Sequence, residues 1–144
     1  MLNLGFDEKL SSRLSSSYPV TSTTLTECSL EIFLAANSSY YVELLGPFNT
    51  VGTSGSKLGL YYTGEFITDN DSMCIIRPEV SGTKTFPISA ASATEDTTPE
   101  NIHYYVGSIR TSTSGRLYVK VAKINGADDD FPLLAGACLV ARRL

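Results

Sequence analysis

Short runs of β-branched and aromatic residues recur along this chain of 144 residues, and each run is closed by Gly, Pro, Asn, Asp or Ser. This pattern is typical of β-strands joined by tight turns. Eight such runs in a chain of this length predict an all-β fold, either a sandwich or a barrel. The predicted strands are residues 29–35, 40–45, 57–68, 72–77, 83–89, 102–111, 116–124 and 133–142.

The run at residues 116–122 shows most clearly how such a strand would lie. Apolar and polar side chains alternate along it, so one face of the strand contacts a core and the other faces water. Leu117, Val119 and Val121 form the first face, and Arg116, Tyr118 and Lys120 form the second. This alternation makes Tyr118 the clearest outward-facing aromatic residue of the sequence.

Tyrosine occurs in three doublets, each inside a predicted strand. Because neighbouring side chains of a strand point to opposite faces, each doublet places one ring in the core and leaves the other for a partner. The doublets are Tyr40-Tyr41, Tyr61-Tyr62 and Tyr104-Tyr105.

The segment LLAGACLVA, residues 133–141, is apolar on both faces of the predicted strand. Such a strand is covered on both sides or lies between subunits. We therefore predict self-association into a homo-oligomer, with contacts from this strand and from the outward tyrosine. The interface candidates are Tyr118, Leu133, Leu134, Leu139 and Val140.

Length bounds the domain organisation. A domain of 144 residues buries roughly 70% of the surface that its unfolded chain exposes, which suffices for a core without a metal or a disulfide. We expect one β-sandwich domain over residues 1–144, with residues 1–25 as an N-terminal arm or a short helix. Phe6, Leu10 and Leu14 are four residues apart, which is helical spacing.

Charge and hydropathy exclude two classes of partner. The net charge is −4, the 11 Lys and Arg residues are scattered, and the one adjacent basic pair is Arg142-Arg143. Binding to nucleic acid needs a basic stripe or arm, so we expect none. No apolar run approaches the roughly 20 residues that span a bilayer, and the first residues lack a signal-peptide pattern, so we expect no membrane insertion.

Catalysis would depend on the single histidine, His103. A serine nucleophile needs a base, but the sequence has no G-x-S-x-G motif, and His103 lies out of phase with the apolar residues of its predicted strand. We therefore predict that the protein is not an enzyme, and we keep a hydrolase using His103 as the third of three hypotheses.

Two acidic stretches raise the question of a metal site. Calcium takes six to eight oxygen ligands, which two carboxylate-bearing loops at one end of a sandwich could supply. Asp and Asn are also good turn formers, so the stretch ITDNDSMCII is better explained as a bend between two strands. We predict no cofactor, with calcium as the alternative. The calcium candidates are Asp69, Asp71, Asp128, Asp129 and Asp130.

The order of the predicted strands resembles a jelly-roll sandwich. In the second half of the chain, SKLGLYYTGEFITDNDSMCIIRP, the hairpin IHYYVGSIRTSTSGRLYVKV and the closing FPLLAGACLVA resemble the later strands of the trimeric jelly rolls of the complement-collagen and tumour-necrosis-factor class. This resemblance implies an oligomer that binds a receptor or a carbohydrate.

The Ser- and Thr-rich composition without Trp also resembles small viral jelly-roll domains. That resemblance implies self-assembly at a virion surface and contact with a host receptor or glycan. Viral shell proteins that contact RNA commonly carry a basic N-terminal arm, whereas this N-terminus has only Lys9 and Arg13. An outward projection or spike head therefore fits better than a shell.

Two hypotheses lead. The first is a non-enzymatic structural or recognition module of jelly-roll type, in a viral capsid or a capsid projection, that mediates self-assembly and host contact. The second is a carbohydrate- or receptor-binding β-sandwich of the trimeric complement or tumour-necrosis-factor-like class, with its binding site in the loops at one end.

Calcium binding has a direct test. If the loop of Asp69 and Asp71 and the loop of residues 128–130 share one end of the sandwich, millimolar calcium raises the melting temperature of the wild type. The Asp69→Ala variant loses this rise, because calcium then lacks a carboxylate ligand. Calorimetry with and without calcium measures the shift, and an unchanged wild-type melting temperature would leave the turn interpretation standing.

Overall fold

The computed structural model describes residues 9–49, 55–67, 72–75, 84–87, 94–98, 102–126 and 130–144. Within these ranges the chain forms twelve β-strands and no helix. The strands are β1 (Lys9–Arg13), β2 (Tyr18–Val20), β3 (Thr26–Leu34), β4 (Ser38–Pro47), β5 (Ser56–Tyr62), β6 (Ser72–Ile75), β7 (Lys84–Pro87), β8 (Thr94–Thr98), β9 (Ile102–Thr111), β10 (Gly115–Lys123), β11 (Phe131–Leu133) and β12 (Cys138–Arg143).

Two main sheets form the sandwich. The six-stranded sheet has the order β1-β12-β4-β9-β6-β7, and the four-stranded sheet has the order β3-β10-β5-β8. A third sheet contains only β11 and β2. Paired strands are antiparallel, and the chain passes repeatedly from one main sheet to the other. The predicted class, an all-β antiparallel sandwich of jelly-roll type, is confirmed.

The core lies between the two main sheets and is built by alternation. Along β4, every second residue from Tyr40 to Leu44 is buried, and along β10 the same holds from Leu117 to Val121. The alternation predicted for residues 116–122 is therefore confirmed. Each strand of this kind has a second face that points away from the core.

The N-terminal segment is a strand where it is described, so a helix over Lys9–Arg13 is wrong. β1 pairs with β12 from Lys9 opposite Arg142 to Arg13 opposite Cys138. Leu10 packs against the core, while its neighbours Lys9 and Ser11 are exposed. This two-residue period is that of a strand. Pairing with β12 gives the backbone N–H and C=O groups of the segment hydrogen-bond partners, which a single helical turn would not do.

The C-terminal run predicted as one strand, 133–142, is two. β11 ends at Leu133, and β12 begins at Cys138 after a turn in which Gly136 has a φ of 95°. The turn is closed by a hydrogen bond from Ala137 N to Leu134 O of 3.2 Å. Few residues other than glycine adopt this backbone conformation, so the strand breaks here.

The run predicted at 57–68 also ends early. β5 stops at Tyr62 because the chain bends at Gly64, where an added Cβ atom would lie 2.7 Å from the ring of Tyr62. β5 belongs to the four-stranded sheet and β6 to the six-stranded sheet, so the acidic stretch between them connects the two sheets. Asp69 and Asp71 themselves lie outside the described residues.

A buried threonine holds the turn between β3 and β4. Thr111 has no exposed surface, and its Oγ1 donates to the carbonyl oxygen of Ala35 and accepts from Ser38 N at 3.2 Å. Tyr40 also stabilises the turn, since its hydroxyl oxygen accepts a hydrogen bond from Ala35 N at 2.9 Å. Asn37 completes the turn with a φ of 50°, a conformation that Asn tolerates better than most residues.

We expect Thr111→Val to lower the free energy of unfolding by about 1–3 kcal/mol, because valine keeps the shape but leaves buried polar groups without their partner. Urea denaturation measures the change. Thr24→Val, at an exposed threonine, is the matched control and should stay within about 0.5 kcal/mol of the wild type. Equal effects of both substitutions would contradict the role of the Thr111 hydroxyl.

Candidate functional site

The outward face of the six-stranded sheet is apolar at its centre. Strand register places Leu45 between Cys138 and Tyr104 in one row, and Glu43 between Val140 and Val106 in the next. An antiparallel sheet with one covered face usually shows polar side chains on the other. We call the following five residues the apolar face: Leu45, Tyr104, Val106, Cys138 and Val140.

The side chains of the apolar face are already partly covered in the single chain. Val106 is 8% exposed although it does not belong to the core cluster, and the other four are half-buried. Side chains on the same face of neighbouring strands contact each other, so the five form one continuous surface.

The five residues of the apolar face surround Glu43 on three sides, and Tyr41 lies in the next row. Glu43 lies in the middle of β4 with Tyr41 two residues away on the same face, and both are half-buried. Burial raises the pKa of Tyr41 above its usual value, and hydrogen bonding to the Glu43 carboxylate raises it further. Glu43 is thus the acidic group at the centre of the outward face.

The outward face of the four-stranded sheet is different, because it carries charges and rings in contact. Arg116 Nη1 lies 2.7 Å from Glu31 Oε2, and Arg116 Nη2 lies 3.0 Å from Glu27 Oε1. A second contact to Glu27, from Nη1 to Oε2 at 3.1 Å, makes that pair bidentate. Hydrogen bonds from Arg116 hold the pKa of Glu27 below its usual value.

A bulge in β3 brings the two carboxylates together. Glu31 lies opposite Tyr118 and Glu27 opposite Lys120, so four residues of β3 span the length of two on β10. Ser29, inside the bulge, has a φ of 68°. Because the bulge shortens the distance along β3, both carboxylates reach one guanidinium group.

Two tyrosine rings extend this arrangement across the sheet. Tyr61 and Tyr118 stack with centroids 5.5 Å apart and planes 24° apart. The guanidinium carbon of Arg116 lies 4.1 Å from the Tyr118 centroid, and Lys120 Nζ lies 4.6 Å from the Tyr61 centroid. These four residues, the aromatic cluster, hold each other in fixed positions through stacking and cation–π contacts.

Phe33 lies beside the aromatic cluster and is 66% exposed. It is directly opposite Arg116 in the register of β3 and β10. Aromatic and arginine side chains are enriched where proteins contact protein partners, and Phe33 together with the aromatic cluster has this composition.

The five predicted interface residues lie in different environments. Tyr118 belongs to the aromatic cluster, and Val140 belongs to the apolar face on the other sheet. Leu134 is half-buried in the turn before β12. Leu133 and Leu139 have no exposed surface, because their side chains point into the core. Of the C-terminal candidates, Val140 and Leu134 are therefore the ones that a partner can reach.

The tyrosine doublets behave as predicted with respect to the core. Tyr40, Tyr62 and Tyr105 are each at most 2% exposed, whereas their neighbours are half-buried on the outward faces. The outward-facing members of the doublets therefore mark both surfaces in the sequence. Tyr41 and Tyr104 lie at the apolar face, and Tyr61 belongs to the aromatic cluster.

Of the predicted calcium ligands, only Asp130 is described. Its carboxylate lies 2.8 Å from Nζ of Lys123, a lysine whose side chain is 6% exposed. Asp69, Asp71, Asp128 and Asp129 lie outside the described ranges. In the part of the chain that the structure describes, no three His, Cys, Asp or Glu side chains form a group that could hold a metal ion.

His103, the one residue that a hydrolase would use, lies in β9 opposite Gly46 of β4. Among the described residues, no helix is long and apolar enough to cross a membrane.

No protein-family model matches the chain, and no curated protein sequence matches it. Solved structures do match. One of them, Eiger TNF from S. frugiperda, has a TM-score of 0.50 and 10% identity over 96% of this chain and 92% of that chain. At this identity the likeness concerns the fold alone, and it supports the jelly roll. It does not support a viral capsid, a spike head or a location at the virion surface.

The contacts of Glu27 predict a pH dependence of stability. Because its pKa is lowered in the folded state, its contribution is present above the ordinary glutamate pKa of about 4.3 and is lost as the pH falls through the lowered value. The pair is partly exposed, so Glu27→Gln should lower the free energy of unfolding at pH 7 by at most about 1 kcal/mol. This difference should be smaller at pH 2 than at pH 7.

Urea denaturation of both proteins at the two pH values measures the effect. Glu65→Gln is the control, since Glu65 is exposed and forms no ion pair within the described ranges. An effect of Glu27→Gln that is equal at pH 7 and pH 2 would contradict the assignment.

Proposed function

We propose that this chain is a non-enzymatic structural and recognition module that self-associates through the apolar face of its six-stranded sheet. The observation that carries this proposal is the continuous apolar surface formed by β12, β4 and β9 on the side of the sheet away from the core. Covering apolar surface with a second copy gains about 25 cal/mol for each Å² removed from water.

A second copy of the chain is the proposed occupant because the apolar face also carries charge of both signs. The carboxylate of Glu43 lies at its centre, and Lys9 and Arg142 lie at its margin on β1 and β12. A surface that contains both an acidic and a basic part is complementary to a rotated copy of itself.

The fold is consistent with this assignment. The chain resembles the trimeric jelly rolls of the complement-collagen and tumour-necrosis-factor class, and its likeness to Eiger TNF extends over most of both chains. We therefore favour the receptor-binding hypothesis for the assembled module. The virion-surface hypothesis would use the same self-association, and a coat-protein reading frame around the gene is the observation that would support it.

The aromatic cluster is the proposed contact surface for a different partner, since it lies on the sheet that self-association leaves uncovered. The rings of Tyr61 and Tyr118 contact each other and two cations. This arrangement favours a protein partner, with Phe33 as an anchoring side chain, over a sugar that would stack on an open ring.

Self-association is tested by size-exclusion chromatography with light scattering over a range of protein concentrations. We expect the wild type to form a dimer or a larger oligomer. Leu45→Glu adds a second carboxylate next to Glu43 on the apolar face and should raise the dissociation constant at least tenfold. Phe33→Glu, at an exposed apolar residue on the opposite sheet, is the matched control and should leave the oligomer unchanged.

Urea denaturation of both variants verifies that they fold. A wild type that stays monomeric at every concentration, or equal behaviour of the two variants, would overturn the proposal.

A further inference from the structure

We infer that self-association pairs Glu43 of one copy with the Lys9 and Arg142 side chains of another copy, and that this pairing sets the alignment of the two copies. This inference rests on the proposed function, because it concerns the same face. It identifies the residues that determine which part of one copy meets which part of the next.

The first observation is the position of Glu43. In its own sheet, Glu43 lies opposite Val140 on β12 and opposite Val106 on β9, so neither neighbouring strand offers it a cation in register. It forms no ion pair with the described residues. When a second copy covers the apolar face, this carboxylate loses water and keeps the hydrogen bond with the Tyr41 hydroxyl, which does not neutralise its charge, so burial without a cation is unfavourable.

The second observation is a pair of like charges. Lys9 of β1 lies directly opposite Arg142 of β12, and both are exposed. Like charges at directly opposite positions of an antiparallel pair are destabilising. Neither side chain forms an ion pair in the described part of the molecule. A carboxylate placed between them would convert this repulsion into two favourable contacts.

The third observation is the set of charged residues in β1, β12, β4 and β9, four adjacent strands of the six-stranded sheet. Glu43 is the only acidic residue in β1, β4, β9 and β12, as the sequence shows. The same strands contain five cations, all at the margins of the outward face or at the strand ends: Lys9, Arg13, Arg110, Arg142 and Arg143. If two such faces meet, Glu43 is the carboxylate that each copy offers.

The proposed pairing of Glu43 with Lys9 and Arg142 is compatible with the symmetry of an oligomer. In a two-fold contact, Glu43 of each copy meets the basic pair of the other. In a closed ring, each copy gives its carboxylate to the next copy and its basic pair to the previous one. Pairing across the interface therefore gives each Glu43 carboxylate two cationic partners without any further residue.

Charge reversal tests the pairing by sedimentation velocity of the full chain. Glu43→Arg alone and the double variant Lys9→Glu, Arg142→Glu alone should each raise the dissociation constant at least tenfold, because like charges then meet across the interface. A triple variant that carries all three reversals in one chain should assemble again, because every interface then pairs one arginine with two glutamates, in a two-fold contact or in a ring. Glu65→Lys, an exposed reversal outside these strands, is the control and should have no effect.

A neutral variant separates the pairing from mere burial of a charge. If Glu43 meets the basic pair, Glu43→Gln weakens self-association and reduces its dependence on salt. If Glu43 is buried without a partner, the same substitution strengthens self-association, which would overturn the inference.

The failures of the two proposals are distinguishable. A monomeric wild type overturns both the proposed function and the pairing. A wild-type oligomer that is broken by Leu45→Glu but is insensitive to the charge reversals, or is not restored in the triple variant, overturns the pairing alone. Circular dichroism of each variant verifies that it is folded.

Discussion

The two-residue alternation of side chains along β4 and β10 is the constraint on which the rest of the molecule depends. Each strand lies inside its sheet, β4 between β12 and β9, and β10 between β3 and β5. A shift of either by one residue would move its core side chains to the outside. Since Tyr40 and Leu117 must be buried, their neighbours Tyr41 and Arg116 must point outward. The same alternation determines which residues form the outward face of each sheet.

Local alternation explains how much of the fold could be predicted from the sequence. Residues 116–122 and the three tyrosine doublets each show a local pattern, so the sandwich class, the outward position of Tyr118 and the burial of one ring in each doublet could be predicted, but not which ring is buried. The apolar face was not, because Leu45, Tyr104 and Cys138 belong to three strands that are distant in sequence. Glu43 has no local feature that marks it; its importance follows from the order of the strands.

Two incorrect predictions, a single strand at residues 133–142 and an N-terminal helix, have different causes. Gly136 divides an apolar run that reads as one strand, and the strand phase of β12 then turns Leu139 inward and Val140 outward. The helical spacing of Leu10 and Leu14 coexists with a strand because pairing with β12 satisfies the backbone of β1. In the second case the deciding contact comes from a distant part of the chain, which outweighs local preference.

The place of β12 between β1 and β4 has a consequence for how the protein is made. β12 is the last of the twelve strands in chain order, yet it is an inner strand of its sheet. During synthesis β1 emerges early and has no partner in this sheet until β12 follows, and β4 keeps one unpaired edge for the same time. Contacts between such distant segments also slow folding. The edges of β1 and β4 that pair with β12 therefore stay exposed until β12 has been synthesised.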